Sequence, residues 1–411
     1  VLVPVPGAYA LTGADGSIAI ATTNGIEVFD PSGDGSDLHV LVPNEPGVAI
    51  LQEPAWSPTG GRIAFTAWTD QGFLLWVAAS DGSGAHPITS DEENAYDPAW
   101  SPDGRLAYLR DGSTVVIADA DGSHTHVVDF REELGRPNLY TVWRPSWTAD
   151  GRLVLLLAEP GVMALSPFIA DGDGTHLRPL TYPDGRTPEL SDLSSNWQFS
   201  STGLVAFEVF DDQEIQKWVH FASFDGKHIV EAPGDVTSDL DARDDVALAP
   251  TGERAVVSWP DFPSPGRTGI SIWDADLTSS TDSLHGTGGF DIPGTVTGID
   301  WQPTCSITGT PGDDELRGTP GSDLVCGLGG DDVIRGMGGN DVIYGGPGND
   351  AIHGGPGNDV LVGGAGSDEL RGGRERDLIN SRRDARAPDV VSGGPGHDVC
   401  LHDRADLVPS C

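Results

Sequence analysis

Lysine is nearly missing from this 411-residue chain, which carries only Lys217 and Lys227. Arginine raises the cations to 23 against 63 acids, so the formal charge is -40. A field of that sign repels nucleic acid and anionic membrane surfaces and draws cations. No stretch approaches the ~20 apolar residues a helix needs to span a bilayer. Cysteine is absent from the first 304 residues, and its four copies stand at 305, 326, 400 and 411. Several catalytic signatures are also missing. There is no Gly-x-Ser-x-Gly followed by Asp and His, no His-Glu-x-x-His, and no phosphate-cradling glycine loop at a strand-to-helix junction. No catalytic residue and no organic cofactor site is therefore assigned. The chain starts at Val1 rather than Met, which reads as a processed or trimmed product.

What the chain has in abundance is glycine, 56 residues, and much of it is ordered. From 309 to 380 the sequence repeats every nine residues: GTPGDDELR, GTPGSDLVC, GLGGDDVIR, GMGGNDVIY, GGPGNDAIH, GGPGNDVLV, GGAGSDELR, GGRERDLIN. The sixth position is Asp314, Asp323, Asp332, Asp341, Asp350, Asp359, Asp368 and Asp377. Two places later stand Leu316, Val325, Ile334, Ile343, Ile352, Leu361, Leu370 and Ile379. Such a glycine-aspartate period predicts a parallel β-helix that holds calcium in its turns. Glycine at positions one, two and four permits positive φ and turns carbonyls toward a cation. Two turns make a coil of eighteen residues. Each ion is then expected to take carbonyls from one loop and an Asp from a loop one coil away. Calcium favours about six to eight oxygens, which this supply suits.

Those eight Asp, together with Asp398 in the later motif Gly393–Cys400, are the candidate ligands for several calcium ions. Asp313, Asp331, Asn340, Asn349 and Asn358, at position five, are expected to shape the turn. The competing reading makes every position-six Asp a cap of its own turn. It would leave uncompensated carboxylates stacked along each side. Between 381 and 388 the period breaks, before Asp389-Val-Val recovers a strand. The cysteines flank or enter the array. Two disulfides, Cys305–Cys326 and Cys400–Cys411, would staple its ends, and a zinc site is the alternative, though no tight Cys pair is present. Disulfides and calcium together point outside the cell.

A second, looser repeat fills the first three hundred residues. Its clearest copies are Pro54-Ala-Trp-Ser-Pro-Thr-Gly60 and Pro98-Ala-Trp-Ser-Pro-Asp-Gly104, with turn glycines at 16, 60, 104, 151, 203 and 252. Each copy reads as four short strands, and four strands every 44 to 52 residues form a propeller blade. Six copies give six blades. The segment Thr297–Pro303 either closes the ring against the N-terminal residues or begins a truncated seventh copy. The one helical candidate is Asp129–Gly135. The expected fold is all-β: a six-bladed β-propeller over 1–304, followed over 305–411 by a parallel β-helix, or β-roll, with calcium-binding turns.

The stretch Pro98-Ala-Trp-Ser-Pro-Asp-Gly-Arg-Leu-Ala-Tyr108, followed by VVIADADGSHTHVV, resembles the blade motif of TolB-type propellers, and the likeness covers about residues 8–303. Residues 309–401 resemble the RTX calcium-binding repeats of secreted bacterial proteins. The pair of resemblances implies a bacterial protein, secreted or on the cell surface, that acts as a non-enzymatic scaffold. A protein or polysaccharide ligand on one propeller face is expected, with the chain monomeric. A second reading is a carbohydrate-active or other hydrolytic propeller with its site at the central channel. Tyr140, Trp143, Trp259 and Phe262 lie on the irregular connections and are the candidate ligand contacts, whereas the Trp of each Ala-Trp-Ser-Pro is expected between blades. His39, His86, His126, His176 and His228 follow Asp-Gly turns and read as scaffold at one repeated position; His124 and His126 alternate on one strand. The acidic runs 211–214 and 235–245 read as solvated loops.

Overall fold

Strands such as Leu153–Ala158 are buried at every position, so they need partners on both faces. The computed structural model describes residues 16–411 except 32–34, 45–47, 71, 91–92, 112–113, 139, 142–144, 149–150, 159–165, 186–196, 200–203, 212–215, 225–228, 232–244, 250–253, 261–266, 276–283, 294–295, 297, 383–386 and 403. Two compact units emerge, one built mainly on Asp15–Thr148 and Arg152–Pro303, the other on Thr304–Cys411.

In the first unit, six antiparallel sheets follow one another. Their inner strands are Ile299–Trp301, Val48–Trp56, Ala95–Trp100, Ser146–Trp147, Trp197–Phe199 and Asp245–Leu248. Each inner strand meets the next, and the last returns to the first, so the ring is closed. Blade one is composite, because Ile299–Trp301 pairs antiparallel with Ile18–Thr22. Ile299–Trp301 thus supplies the closing strand and removes an open edge.

Alternate residues of a strand serve opposite neighbours. Ile63, Phe65 and Ala67 of blade two pack with Ala19, Ala21, Ile26 and Val28 of blade one. Ala64 and Val77 pack instead with Leu106 of blade three. The tryptophans bridge blades as expected: Trp100 Nε1 donates to the Ala55 carbonyl at 3.0 Å and Trp147 Nε1 to the Ala99 carbonyl at 3.2 Å. The one helix among the described residues, Phe130–Glu133, is capped by Asp129, whose carboxylate accepts from Glu132 N at 3.1 Å.

Two readings need correction. Gly60, Gly104 and Gly151 take the left-handed φ that the turn demands, but Gly16 does not. A Cβ on Gly16 would strike Gln302, so the close approach of the closing segment requires glycine there. Gly203 and Gly252 lie outside the described residues. Among the histidines, His39, His86 and His126 do share one position, opposite Val28, Val77 and Ile117. His176 does not, because Arg178 takes that place opposite Ile169. His176 matches His124 instead: both have positive φ and both set Nδ1 beside an Asp, Asp171 at 3.0 Å and Asp119 at 2.8 Å. The cause is an offset: His176 follows its turn glycine by two residues, the other three by four. His228 is outside the described residues.

The second unit is a parallel solenoid of two six-stranded sheets. Sheet one comprises Ile307–Thr308, Leu324–Cys326, Val342–Pro347, Val360–Ala365, Leu378–Asn380 and Val399–Leu401. Sheet two comprises Glu315–Arg317, Val333–Arg335, Ala351–Pro356, Glu369–Arg374, Val390–Ser392 and Leu407–Ser410. Pairing steps by eighteen residues, as in Leu361 opposite Ile379, and then by 21 across the period break, as in Ile379 opposite Cys400. The break therefore adds three residues without losing the register. One row of aliphatics fills the interior: Val325, Ile334, Ile343, Ile352, Leu361, Leu370, Ile379 and Val391, with Leu316 packed against them. Each such side chain stabilises the coil by about 1.5–3 kcal/mol. Cys305–Cys326 ties the first two strands of sheet one, and Cys400–Cys411 ties the last strand to the final residue.

The outward faces of the two sheets differ. Sheet one sets a second apolar row outward, Leu324, Val342, Val360, Val362, Leu378 and Leu401, all buried. Sheet two sets Glu315, Arg317, His353 and Arg371 outward, all exposed.

Candidate metal centre

The position-six aspartates form two files, one on the turns that lead into each sheet. The first holds Asp323, Asp341, Asp359, Asp377 and Asp398; the second holds Asp314, Asp332, Asp350, Asp368, Asp389 and Asp406. Within a file every Oδ1 after the first Asp accepts from the backbone N–H of the Asp one coil earlier, at 2.7–3.2 Å. Half of each carboxylate thus holds consecutive coils in register.

The other half is what could hold a metal. The Oδ2 atoms of Asp332, Asp341, Asp350, Asp359 and Asp377 are buried and have no hydrogen-bond donor. An unsatisfied buried carboxylate oxygen is costly, so five in regular array call for a cation. Each lies beside its own turn's first glycine and the carbonyl of the first glycine one coil on. A Cβ built on Gly327 would meet Asp332 Oδ2 and Gly345 O; on Gly336, Asp341 Oδ2 and Gly354 O; on Gly345, Asp350 Oδ2 and Gly363 O; on Gly354, Asp359 Oδ2 and Gly372 O; on Gly372, Asp377 Oδ2 and Gly393 O. These are oxygen-lined cradles of the kind a hard cation takes. Among the described residues no three acidic, His or Cys side chains gather on one point. Each cradle joins one carboxylate to backbone carbonyls.

Position one is therefore glycine for space. Its φ is ordinary, whereas positions two and four carry the positive φ, as at Gly346 and Gly348. Leu328 and Met337 hold the position-two conformation without being glycine, and both are exposed. Gly354→Ala should fill one cradle. In saturating calcium it should lose about 2–3 kcal/mol of stability, one site's worth. The loss should be clearly smaller in chelator, and paired thermal melts of variant and parent check this.

Electrostatics agree with the geometry. Burial, with the neighbouring Asp359, pushes Asp341 up to about 8. Burial likewise lifts Asp377 to about 8, and Asp350 and Asp359 to about 7. Asp332 is raised by burial first and by Asp314 and its neighbours next. A carboxylate in such a place takes a proton or a metal at neutral pH.

The first two repeats are different. Thr310 and Thr319 occupy position two, and in each turn the Thr N–H and Oγ1 both donate to Oδ2, of Asp314 and of Asp323 respectively, at 2.6 and 2.9 Å. These two Asp cap their own turns. Position five, expected to shape its own turn, links coils instead and in the opposite direction: Asp313 accepts from Asp331 N, Asp331 from Asn349 N, Asn340 from Asn358 N, and Asn358 from Arg376 N. Asp389 and Asp406 were missed in the sequence. Their Asp-aliphatic-aliphatic triplets were legible, but the break at 381–388 hid their place in the file. Of the candidate ligand contacts on the propeller, Trp143 and Phe262 lie outside the described residues, as do the side chains of Tyr140 and Trp259.

The RTX calcium-binding nonapeptide repeat family matches this region at residues 308–343, 327–361 and 344–379. The solenoid is an RTX calcium-binding array. The first unit has other relatives. TolB of Acinetobacter baumannii superposes with a TM-score of 0.51 at 16% identity, covering 70% of this chain and 67% of that one. The Tol-Pal system protein TolB of a Polaromonas species is 49% identical over 49 residues. An uncharacterized peptidase of Bacillus subtilis, YuxL, is 26% identical over 129 residues. These last two matches cover 12% and 28% of the chain, and they span 12% and 18% of the relatives' own lengths. The likeness gives a TolB-like propeller fold. No helix among the described residues is long and apolar enough to cross a membrane.

Proposed function

We propose that the chain is an extracellular or cell-surface calcium-binding protein, non-enzymatic, with a propeller over 1–304 that recognises a ligand and an RTX array over 305–411 that calcium orders. The observation that carries the calcium half is the set of buried Oδ2 atoms without donors, each set against a carbonyl of the next coil. Asp332, Asp341, Asp350, Asp359 and Asp377 hold the ions, with Asp368 in the second file and Asp314, Asp323 and Asp398 at the ends of the two files. The two disulfides and the net charge of -40 support a setting outside the cell. The ligand-binding half rests on the propeller fold alone.

Calorimetric titration of calcium into single variants tests the assignment. Asp350→Asn should remove bound calcium and weaken the remaining sites, because its Oδ2 has no donor of its own. Asp314→Asn should change calcium binding by less than about twofold, since Thr310 already satisfies that oxygen. Equal effects of the two variants would overturn the division.

A further inference from the structure

Trp68 is the one large aromatic among the exposed apolar side chains of the described residues, at 46% exposure. It stacks on Phe73 at 6.1 Å, and Phe73 meets Tyr96 of the next blade at 5.4 Å. The three rings form a continuous platform across blades two and three, beside the hairpin that joins Arg62–Thr69 to Gly72–Ala79. Acids surround it. Asp70 and Asp111 are exposed on the two hairpins, and Glu53 and Asp97 sit on the inner strands. Asp97, Glu53 and Asp111 all act on the Tyr96 hydroxyl, raising it above its ordinary value after burial has done so first. Arg110, opposite Ala95, is the base on this sheet end.

The backbone here is held in an unusual state. Among the described residues, four of the nine non-glycine residues with positive φ gather at this place: Glu53, Asn94, Asp97 and Asp111. Glu53 and Asp97 each stand three residues before the Trp of an inner strand, and the equivalent residue in the closing strand is Gly298, φ 146°. Glu53 and Asp97, at φ 53° and 58°, both fall at the register shifts of their strands, between Gln52 and Ala55 and between Tyr96 and Ala99. The Glu53 carboxylate accepts from Thr66 Oγ1 at 2.9 Å and from Asp97 N at 3.2 Å, so it ties the inner strand of blade two to that of blade three.

We propose that this platform docks a cationic segment of a protein partner, with an Arg or Lys side chain laid on Trp68 and its charge met by Asp70, Asp97 and Asp111. Cation-on-aromatic contact and flanking carboxylates are complementary to a guanidinium or ammonium group. A neutral sugar would gain the stacking but draw little from a ring of charges. The proposal deepens the reading of the propeller as a recognition module and is independent of the calcium array.

Anisotropy of fluorescein-labelled hexa-arginine, titrated with the full chain in calcium at physiological salt, provides the test. Wild-type protein should bind, and Trp68→Ala should bind about tenfold more weakly. Asp97→Gly should bind several-fold more weakly while melting no lower than wild type, a split that a purely structural role would not give. Asp81→Asn and Asp121→Asn, at the other hairpins of these blades, should leave binding unchanged. The proposal is overturned if hexa-arginine does not bind, if Trp68→Ala binds as tightly as wild type, or if Asp81→Asn weakens binding as much as Asp97→Gly. It is also overturned if xylohexaose binds in a Trp68-dependent manner and the peptide does not, which would keep a recognition role for the propeller with a different ligand. Absence of binding to either probe would remove the support for recognition at this face and leave the calcium reading standing.

Discussion

Chelating calcium should melt the parallel sheets of residues 307–410 and leave the antiparallel sheets of the propeller folded. At a hundredfold excess over its dissociation constant an ion adds about 2.7 kcal/mol at each site. Five open cradles then supply an amount comparable with the whole stability of an ordinary domain, about 5–15 kcal/mol. What remains in their absence is one interior aliphatic row, the outer apolar row of sheet one and two files of buried carboxylates. The disulfides limit the loss by restraining the unfolded chain at both ends, though they leave the middle coils to calcium. Scanning calorimetry in chelator and in excess calcium should therefore show one transition that stays in place and another that moves by about 20 °C or more. Superposable scans would sink the calcium-ordered reading.

The second large effect is proton competition. Asp341 and Asp377 titrate near 8, and Asp350 and Asp359 near 7, in the metal-free fold, against 3.8 for the ordinary carboxylate. The folded array therefore binds more protons than the unfolded chain between those values. Stability of the metal-free array is fully present below about pH 4 and drains away as pH rises through 7 to 8. Calcium must displace those protons, so its affinity should run the other way, climbing from pH 5 to pH 8 and then levelling off. In chelator the array should melt at a higher temperature at pH 5 than at pH 8.5; in calcium the order should reverse. Release of protons on calcium addition at pH 6.5, followed with a pH indicator, gives an independent reading. A metal-free array that gains stability on going from pH 5 to pH 8.5 would contradict the assigned environments.

Much of this was legible from the residues. The nine-residue period fixes the Asp files and the aliphatic row, because the same residue type recurs at the same place. Closure by Thr297–Pro303 was equally readable, since Ile299-Asp-Trp301 repeats the inner-strand pattern. The reading failed where a partner lies one coil or one blade away. Asp314 and Asp350 occupy the same repeat position, and the N–H and hydroxyl of Thr310 separate a capped oxygen from an open one. Glycine at position one was credited with turn-making, yet its purpose is to leave room for an oxygen one coil on. The aromatic platform was hidden because Phe73 and Tyr96 stand on neighbouring blades, and loop length had directed attention elsewhere.

The contrast between the two solenoid faces bears on how such an array changes over generations. Odd and even nonapeptides are not interchangeable: one set carries the buried outer row with Leu324, Val342, Val360 and Val362, whereas the other sets Glu315, Arg317 and His353 exposed. A deletion or duplication of nine residues would swap these environments for every later repeat, exposing an apolar row and burying arginines. Eighteen residues is the smallest step that restores each side chain to its place. Lineages of this array should therefore lengthen and shorten by whole coils, and the three-residue insertion near 381–388 is tolerated because it widens one coil without exchanging the faces.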